Sequence, residues 1–227
     1  MRRNVRNGRC VVAVDGPSGS GKSTVSRRLA TALDARYLDT GAMYRAVTWA
    51  VLRSGVEPTD ADGVGKVASE MLLEIGTDPT VPHVLADGVD VSVDIRGPEV
   101  TAHVSAVAAV PAVRQLLVAR QRDLIAAAER IVVEGRDIGT VVAPDADLKV
   151  YLTASAAARA RRRSAEDASD VDSTAADLLR RDRFDSTRAV DPLQQAADAV
   201  VLDTTGMGID EVVEHLRALV PRDHPDA

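Results

Sequence analysis

Aromatic side chains are almost missing from this chain: Trp49, Phe184 and three tyrosines make up 2% of its 227 residues. A protein so poor in rings has no platform for stacking single-stranded bases, so any base it reads is read by hydrogen bonds. Positive charge is not in excess. The formal net charge of −6 argues against a general nucleic-acid binder. Cys10 is the only cysteine, so no intrachain disulfide can form, and the chain suits a reducing, cytoplasmic setting. Cys10 itself reads as a small core residue. His83, His103, His215 and His224 lack metal-ligand spacing. No apolar run approaches membrane-spanning length, so no membrane partner is expected. The basic start, Met1 to Arg9, reads as a frayed tail and not a signal peptide. The last residues, 221–227, should fray too. What remains is 45% hydrophobic and 27% charged, an ordinary globular composition long enough for one sizeable core with small insertions.

The most informative stretch is Gly16-Pro17-Ser18-Gly19-Ser20-Gly21-Lys22-Ser23-Thr24. It follows the apolar run Cys10–Asp15 and precedes an amphipathic run from Val25 to Leu33, the order strand, tight loop, helix. It fits G-x-x-x-x-G-K-[ST] at every fixed position. Glycines let the backbone curl so that several N–H groups face one anion, and the helix start adds its positive end. Lys22 would reach the outer phosphates of ATP, and the Ser23 hydroxyl would ligate Mg²⁺.

Farther on, Tyr37-Leu38 ends a short second strand, Asp39 to Gly41 turn the chain, and a helix follows. Thr40, Tyr44 and Arg45 then sit where strands end and helices begin, the place where ligands collect in an open α/β sheet. A helix over 60–71 comes next. Leu72–Ile75, Thr80–Leu85 and Val89–Val93 read as short strands, with Asp87-Gly88 as the hairpin turn between the last two. Helical spacing returns over 100–108, and Pro111 opens a helix to Ala128. Ser105 and Arg114 lie on these helices and, taken alone, read as surface residues. The strand Ile131–Glu134 ends in Gly135-Arg136-Asp137-Ile138-Gly139, which is either a site or a turn with a local ion pair. Leu148–Leu152 is another strand, with Thr153 or Ser155 capping the next helix. From Arg159 to Arg188 arginines dominate, which fits either a solvated helix face or a hairpin that closes over phosphates. Composition leaves both open. A last strand at 199–203 and a helix with Ile209, Val212, Val213, Leu216 and Leu219 on one face complete the chain. Strand candidates at 10–15, 36–39, 130–134, 148–152 and 199–203 alternate with helices, which predicts an α/β fold with a parallel five-stranded sheet covered on both faces.

A phosphate loop names the ligand and not the reaction. A regulatory GTPase is disfavoured because N-K-x-D is absent, and Asp203-Thr204-Thr205-Gly206 reads as a decoy for its D-x-x-G. A motor or transporter ATPase would carry a signature that this chain lacks; Glu134 is the nearest equivalent of its strand-ending acid. A small-molecule phosphotransferase remains.

Four segments then carry a resemblance: Val14–Ser23, Asp39–Arg45, Glu134–Thr140 and Arg188-Ala189-Val190-Asp191-Pro192-Leu193. Together they resemble the bacterial-type cytidylate kinases, and the similarity covers nearly the whole chain. The resemblance implies a P-loop nucleoside monophosphate kinase fold that transfers phosphate from ATP to CMP or dCMP with Mg²⁺, as a monomer. It implies a core (10–39, 106–158 and 189–227), an acceptor subdomain with an antiparallel insert (40–105) and a helical lid (159–188). It assigns Thr40, Tyr44, Arg45, Ser105, Arg114, Arg136, Asp137, Asp185 and Arg188 to the acceptor. Arg159 and Arg163 fall among lid residues that hold ATP; Arg181 and Arg183, with Lys22 and Arg136, among those that assist transfer. Thr40 stands where serine is common, and the hydroxyl survives. The alternative is another phosphate-loop kinase with a different acceptor, such as UMP, shikimate or gluconate.

Overall fold

The computed structural model describes residues 9–167 and 170–221. The basic start before Arg9, the tail after Pro221 and His224 lie outside the described residues.

The chain runs β1 (Cys10–Asp15), α1 (Lys22–Ala32), β2 (Arg36–Asp39), α2 (Thr40–Ser54), α3 (Ala61–Glu70), β3 (Leu73–Ile75), β4 (Val84–Ala86) and β5 (Val89–Asp90). It continues through α4 (Pro98–Val107), α5 (Pro111–Ala126), β6 (Arg130–Gly135), β7 (Leu148–Thr153), α6 (Ala156–Asp167), α7 (Val171–Thr187), β8 (Val200–Asp203) and α8 (Ile209–Leu219). Among the described residues, five strands form a wholly parallel sheet in the order β2-β6-β1-β7-β8, and β3-β4-β5 form a small antiparallel sheet. Both sheets are as the sequence predicts.

The alternation of side chains along a strand divides the core in two. Ala13, Ile131 and Val133 face one side, where Met43 and Val47 of α2 and Leu117 of α5 cover them. Val12, Val14, Val132 and Val150 face the other, against Leu29 of α1 and Leu216 of α8. Each fully buried Val, Leu, Ile or Met among them contributes roughly 1.5–3 kcal/mol. Leu73, Val84 and Ala86 bring the small sheet onto the first of these cores, so the insert shares the main fold's packing.

The insert's strands are shorter than expected, for local reasons. The Asp78 carboxylate accepts the Thr80 N–H at 2.7 Å and its hydroxyl at 2.6 Å, which turns the chain before β4. Asp90 does the same to Ser92, at 2.9 and 2.6 Å, so the third strand stops at Asp90, and a single 3₁₀ turn, Asp94–Arg96, follows. The hairpin turn is as read: Asp87 and Gly88 have φ of 51° and 77°. The expected turn over Asp39–Gly41 is instead a helix start, because Asp39 accepts the Ala42 N–H at 2.9 Å and caps α2. Helix α5 stops at Ala126, two residues earlier than expected. Ser155 is the residue that caps α6, accepting from the Ala158 N–H at 3.3 Å. Ile209 and Leu219, read as core, are 44% and 38% exposed at the ends of α8.

Candidate active site

The loop between β1 and α1 is shaped by contact with its neighbours. Gly16 has φ of +148°, and a Cβ there would lie 2.0 Å from the carbonyl oxygen of Leu152. Gly21 caps α1 with φ of 88°, and the first turn of that helix carries no acidic residue, so its N–H groups face no carboxylate of their own helix. The Lys22 ammonium is buried and donates to the Pro17 carbonyl at 2.8 Å. Burial, then the Arg136 guanidinium, draws its pKa down. Asp15 ends β1 and uses both carboxylate oxygens on backbone, accepting from Ile138 N–H at 2.9 Å and Gly139 N–H at 2.8 Å. Burial outweighs those bonds and pushes its pKa up to about 6.

A cavity of about 470 Å³ opens from this loop. Ser18, Gly19, Gly21, Lys22, Ser23 and Thr24 form its floor at one end. Thr40, Tyr44 and Arg45 enter from α2, Ser105 from α4, Arg114 from α5, and Arg136 and Asp137 from the turn after β6. Arg163 of α6, Arg181 and Asp185 of α7 and Arg188 just beyond it line the remaining side. Gly16, Pro17, Ser20, Arg159 and Arg183 do not line it. Gly16 is pressed against the Leu152 carbonyl, and the Pro17 carbonyl is taken by the Lys22 ammonium. Ser20 is buried, and its carbonyl accepts from the Thr204 hydroxyl at 3.3 Å. Arg159 is buried against the loop, donating to the Ser18 carbonyl at 2.9 Å and pairing with Asp182. Arg183 is exposed: two residues along α7 from Arg181, it points away from the cavity.

At the end opposite the loop, charged side chains hold one another. Arg114 pairs with Asp137, and its Nε donates to Asp191 at 2.8 Å. Its guanidinium lies over the Tyr44 ring, 5.4 Å from the centroid. Arg188 approaches the other oxygen of Asp137 at 3.6 Å. Burial pushes Asp137 up although both arginines oppose it. Arg136 donates to Asp185 at 3.0 Å and to the Gly16 carbonyl at 3.0 Å, and Ser105 donates to Asp185 at 3.4 Å. The Thr40 hydroxyl donates to the Glu134 carbonyl at 2.7 Å. Arg45 is turned toward the insert, donating to the Ile95 carbonyl at 3.0 Å and the Thr101 hydroxyl at 2.9 Å. Burial, then Arg181 and Arg96, draws Arg45 down to about 9; burial and Arg136 draw Arg181 to about 10. Guanidiniums crowded out of water in this way are poised to receive anions.

Several cavity residues were not singled out from the sequence as ligand-binding. Tyr37 donates to Glu134 at 2.5 Å, and Arg96 donates to Asp39 at 3.0 Å. Tyr37 and Asp39 lie on β2, Glu134 on β6 and Arg96 in the 3₁₀ turn, and the acid closing an apolar strand is the group's one visible signal. Thr204, within the stretch read as a decoy, packs beneath the loop: its hydroxyl donates to the Ser20 carbonyl at 3.3 Å, and its carbonyl accepts from Arg162 at 2.6 Å. The register of β8 beside β7 brings it there. Sequence separation hid it.

The donor set can be weighed against a magnesium ion. Ser23 lies in the cavity wall beside Glu134, which is pushed up by burial and by Asp39, and Glu134 Oε2 is buried without a hydrogen-bond partner among the described residues. Among the described residues there is no cluster of three or more His, Cys, Asp or Glu able to hold a metal by itself. A hydroxyl with one or two carboxylates suits magnesium, which takes most of its ligands from phosphates and water. No single helix among the described residues is long and apolar enough to cross a membrane.

Comparison with known proteins adds the following. A family model described as cytidylate kinase matches residues 12–222. The cytidylate kinase of Nocardia farcinica is 60% identical over 215 residues, 92% of this chain and 93% of that one. The cytidylate kinase of Corynebacterium glutamicum is 55% identical over 218 residues, 94% of this chain and 95% of that one. Among solved structures, a gluconokinase from Sinorhizobium meliloti superposes with a TM-score of 0.52 at 16% identity, covering 94% of this chain and 92% of that one, a likeness of fold alone.

Proposed function

The chain belongs to the cytidylate kinase family, and on that premise we propose how its cavity carries out the family's reaction. The protein is a phosphotransferase that phosphorylates CMP and dCMP with ATP as donor. The observation that carries the reading is one cavity with an amide-and-lysine cradle at one end and the Arg114–Asp137 pair at the other. An acceptor other than a cytidine nucleotide is not favoured.

In this reading Ser18, Gly19 and Gly21 to Thr24 hold the donor phosphates, with Lys22 on the outermost ones, and Gly16, Pro17 and Ser20 shape the loop behind them. Arg159 braces the loop, and Arg163 reaches the donor. Thr40, Tyr44, Arg45, Arg136 and Arg188 hold the acceptor phosphate and its surroundings, and Asp185 its sugar. Ser105, Arg114 and Asp137 face the base. Arg136 and Arg181 neutralise charge between the two phosphates. The attacking group is an oxygen of the monophosphate, already ionised at neutral pH because its second pKa is about 6. No general base is needed, and the protein's task is to set two polyanions in line and exclude water. Magnesium, when bound, supplies charge neutralisation on the donor phosphates, and Ser23 with Glu134 would hold it. The core (10–39, 106–158 and 189–227), acceptor subdomain (40–105) and lid (159–188) then act as three bodies, in a cytoplasmic monomer that meets free nucleotides.

Cytosine offers an amino donor and a ring-nitrogen acceptor, matched by a carboxylate and a guanidinium. Uracil reverses both and would leave buried groups unpaired, at roughly 1–3 kcal/mol per group. Steady-state rates with CMP, dCMP and UMP test this in the wild type and Asp137→Ala. The kcat/KM ratio of CMP to UMP should fall at least about tenfold in the variant. An unchanged ratio removes Asp137 from base recognition.

A further inference from the structure

Pro192 follows Asp191, and a residue before proline is driven toward extended backbone. Asp191 nonetheless has φ of +46°, a left-handed conformation it shares, among the described non-glycine residues, only with Asp34 and Asp87. Asp34 follows the end of α1, and Asp87 sits in a hairpin turn. Asp191 does neither. Strain held at such a place calls for a compensating role.

Its contacts supply one. Asp191 Oδ2 accepts from Arg114 Nε at 2.8 Å, and its carbonyl oxygen accepts from Arg188 Nε at 2.5 Å. These two guanidiniums are the ones that flank Asp137. The side chains of Arg114 and Arg188 are 2% and 5% exposed, while that of Asp191 is 26% exposed and stands outside the cavity wall. Asp191 therefore reaches two wall residues from behind. The four groups balance as two cations and two anions. Without Asp191, both guanidiniums would draw closer to the two oxygens of Asp137, with Asp185 also acting on Arg188. With it, Arg188 Nη2 stays 3.6 Å from Asp137 and has no hydrogen-bond partner among the described residues.

We propose that Asp191 is a positioning residue for pyrimidine recognition, tethering Arg114 by its carboxylate and Arg188 by its carbonyl so that Asp137 stays open to the base. The proposal rests on the reading of Arg114, Asp137 and Arg188 as acceptor-site residues given above.

Two variants separate backbone from tether. Asp191→Gly keeps the left-handed backbone and loses the carboxylate; Asp191→Asn keeps the backbone and one acceptor oxygen. Steady-state kinetics of the full chain with CMP and UMP, and with varied ATP, give the readout. For Asp191→Gly the KM for CMP rises about tenfold and the CMP:UMP ratio of kcat/KM falls by a similar factor, while the KM for ATP stays within about twofold. Asp191→Asn recovers most of this, with a KM for CMP about threefold above wild type. A glycine variant with unchanged CMP KM and ratio, or with ATP and CMP KM raised equally, overturns the proposal. Should the glycine variant not fold, an unchanged CMP KM in Asp191→Asn overturns it. Arg114→Ala is measured in parallel. If it too leaves CMP KM and the ratio unchanged, the acceptor-site reading itself fails; if it alters them and Asp191→Gly does not, only the tether fails.

Discussion

Nine consecutive residues, Gly16 to Thr24, build one anion cradle out of backbone, and its shape is fixed by what lies beneath it. The cluster around Asp137 holds its shape by side chains instead, and Arg114 and Asp191 meet across 77 residues of sequence. Backbone N–H groups cannot titrate, and the loop that carries them packs closely on the Leu152 carbonyl. Guanidiniums and carboxylates on separate elements can exchange partners; in this structure Arg136 is held by Asp185 and Arg159 by Asp182. The protein's own carboxylates occupy many of the arginines that a polyanionic substrate would take. Donor and acceptor ends should therefore fail differently when damaged.

The largest effect is expected at the donor end. Lys22 is the loop's one ammonium, buried in the cavity between Pro17 and the charges of Glu134 and Arg136. Lys22→Ala should lower kcat about 10³-fold, as loss of a pre-set electrostatic contact does. CMP binding, followed by calorimetry without ATP, should change less than about threefold. Loss of CMP affinity on the scale of the loss in kcat would mean that the ends are not separable.

A smaller effect, on stability and not on chemistry, tests whether the cradle is fixed from below. In Gly16→Ala the new methyl would meet the Leu152 carbonyl, in a backbone conformation that alanine resists. Urea unfolding should show a loss of about 3 kcal/mol or more. Truncation of the exposed Arg183 should cost no more than about 0.5 kcal/mol. A Gly16 variant as stable as wild type would show that the loop is free to shift.

The same contrast explains what could be read in advance. The loop was legible because its signal is contiguous and its neighbours, an apolar strand and an amphipathic helix, confirm it locally. The parallel sheet was legible because Val12, Val132 and Val150 lie in apolar runs too short for helices. The insert's strand ends were missed because Asp78 and Asp90 redirect the chain with side-chain bonds that no period reveals. Ser105, Arg114 and Asp185 carry no chemistry in their local sequence; only the resemblance singled them out. Asp191 was visible only as a letter in a motif, and Thr204 was set aside, because the contacts that give them a role come from other elements.

Asp15 joins the two regions and yields the smallest effect of the three. It ends β1 just before the loop, and its carboxylate holds the turn that follows Arg136 and Asp137. Its pKa of about 6 lies above the ordinary 3.8, so the folded state holds the proton more tightly than the unfolded chain does. Its favourable contribution is therefore complete below about pH 4 and is lost as pH rises through about 6. The change amounts to about 2 to 3 kcal/mol, from 1.36 kcal/mol per pKa unit. Asp15→Asn cannot ionise, and it leaves one of the two N–H groups without an acceptor, a cost of about 1–3 kcal/mol. The variant should be the less stable protein at pH 4.5, and the gap should close or reverse by pH 7.5, as read by urea unfolding across that range. Parallel stability curves would mean that Asp15 is ionised throughout and that its two backbone bonds outweigh its burial.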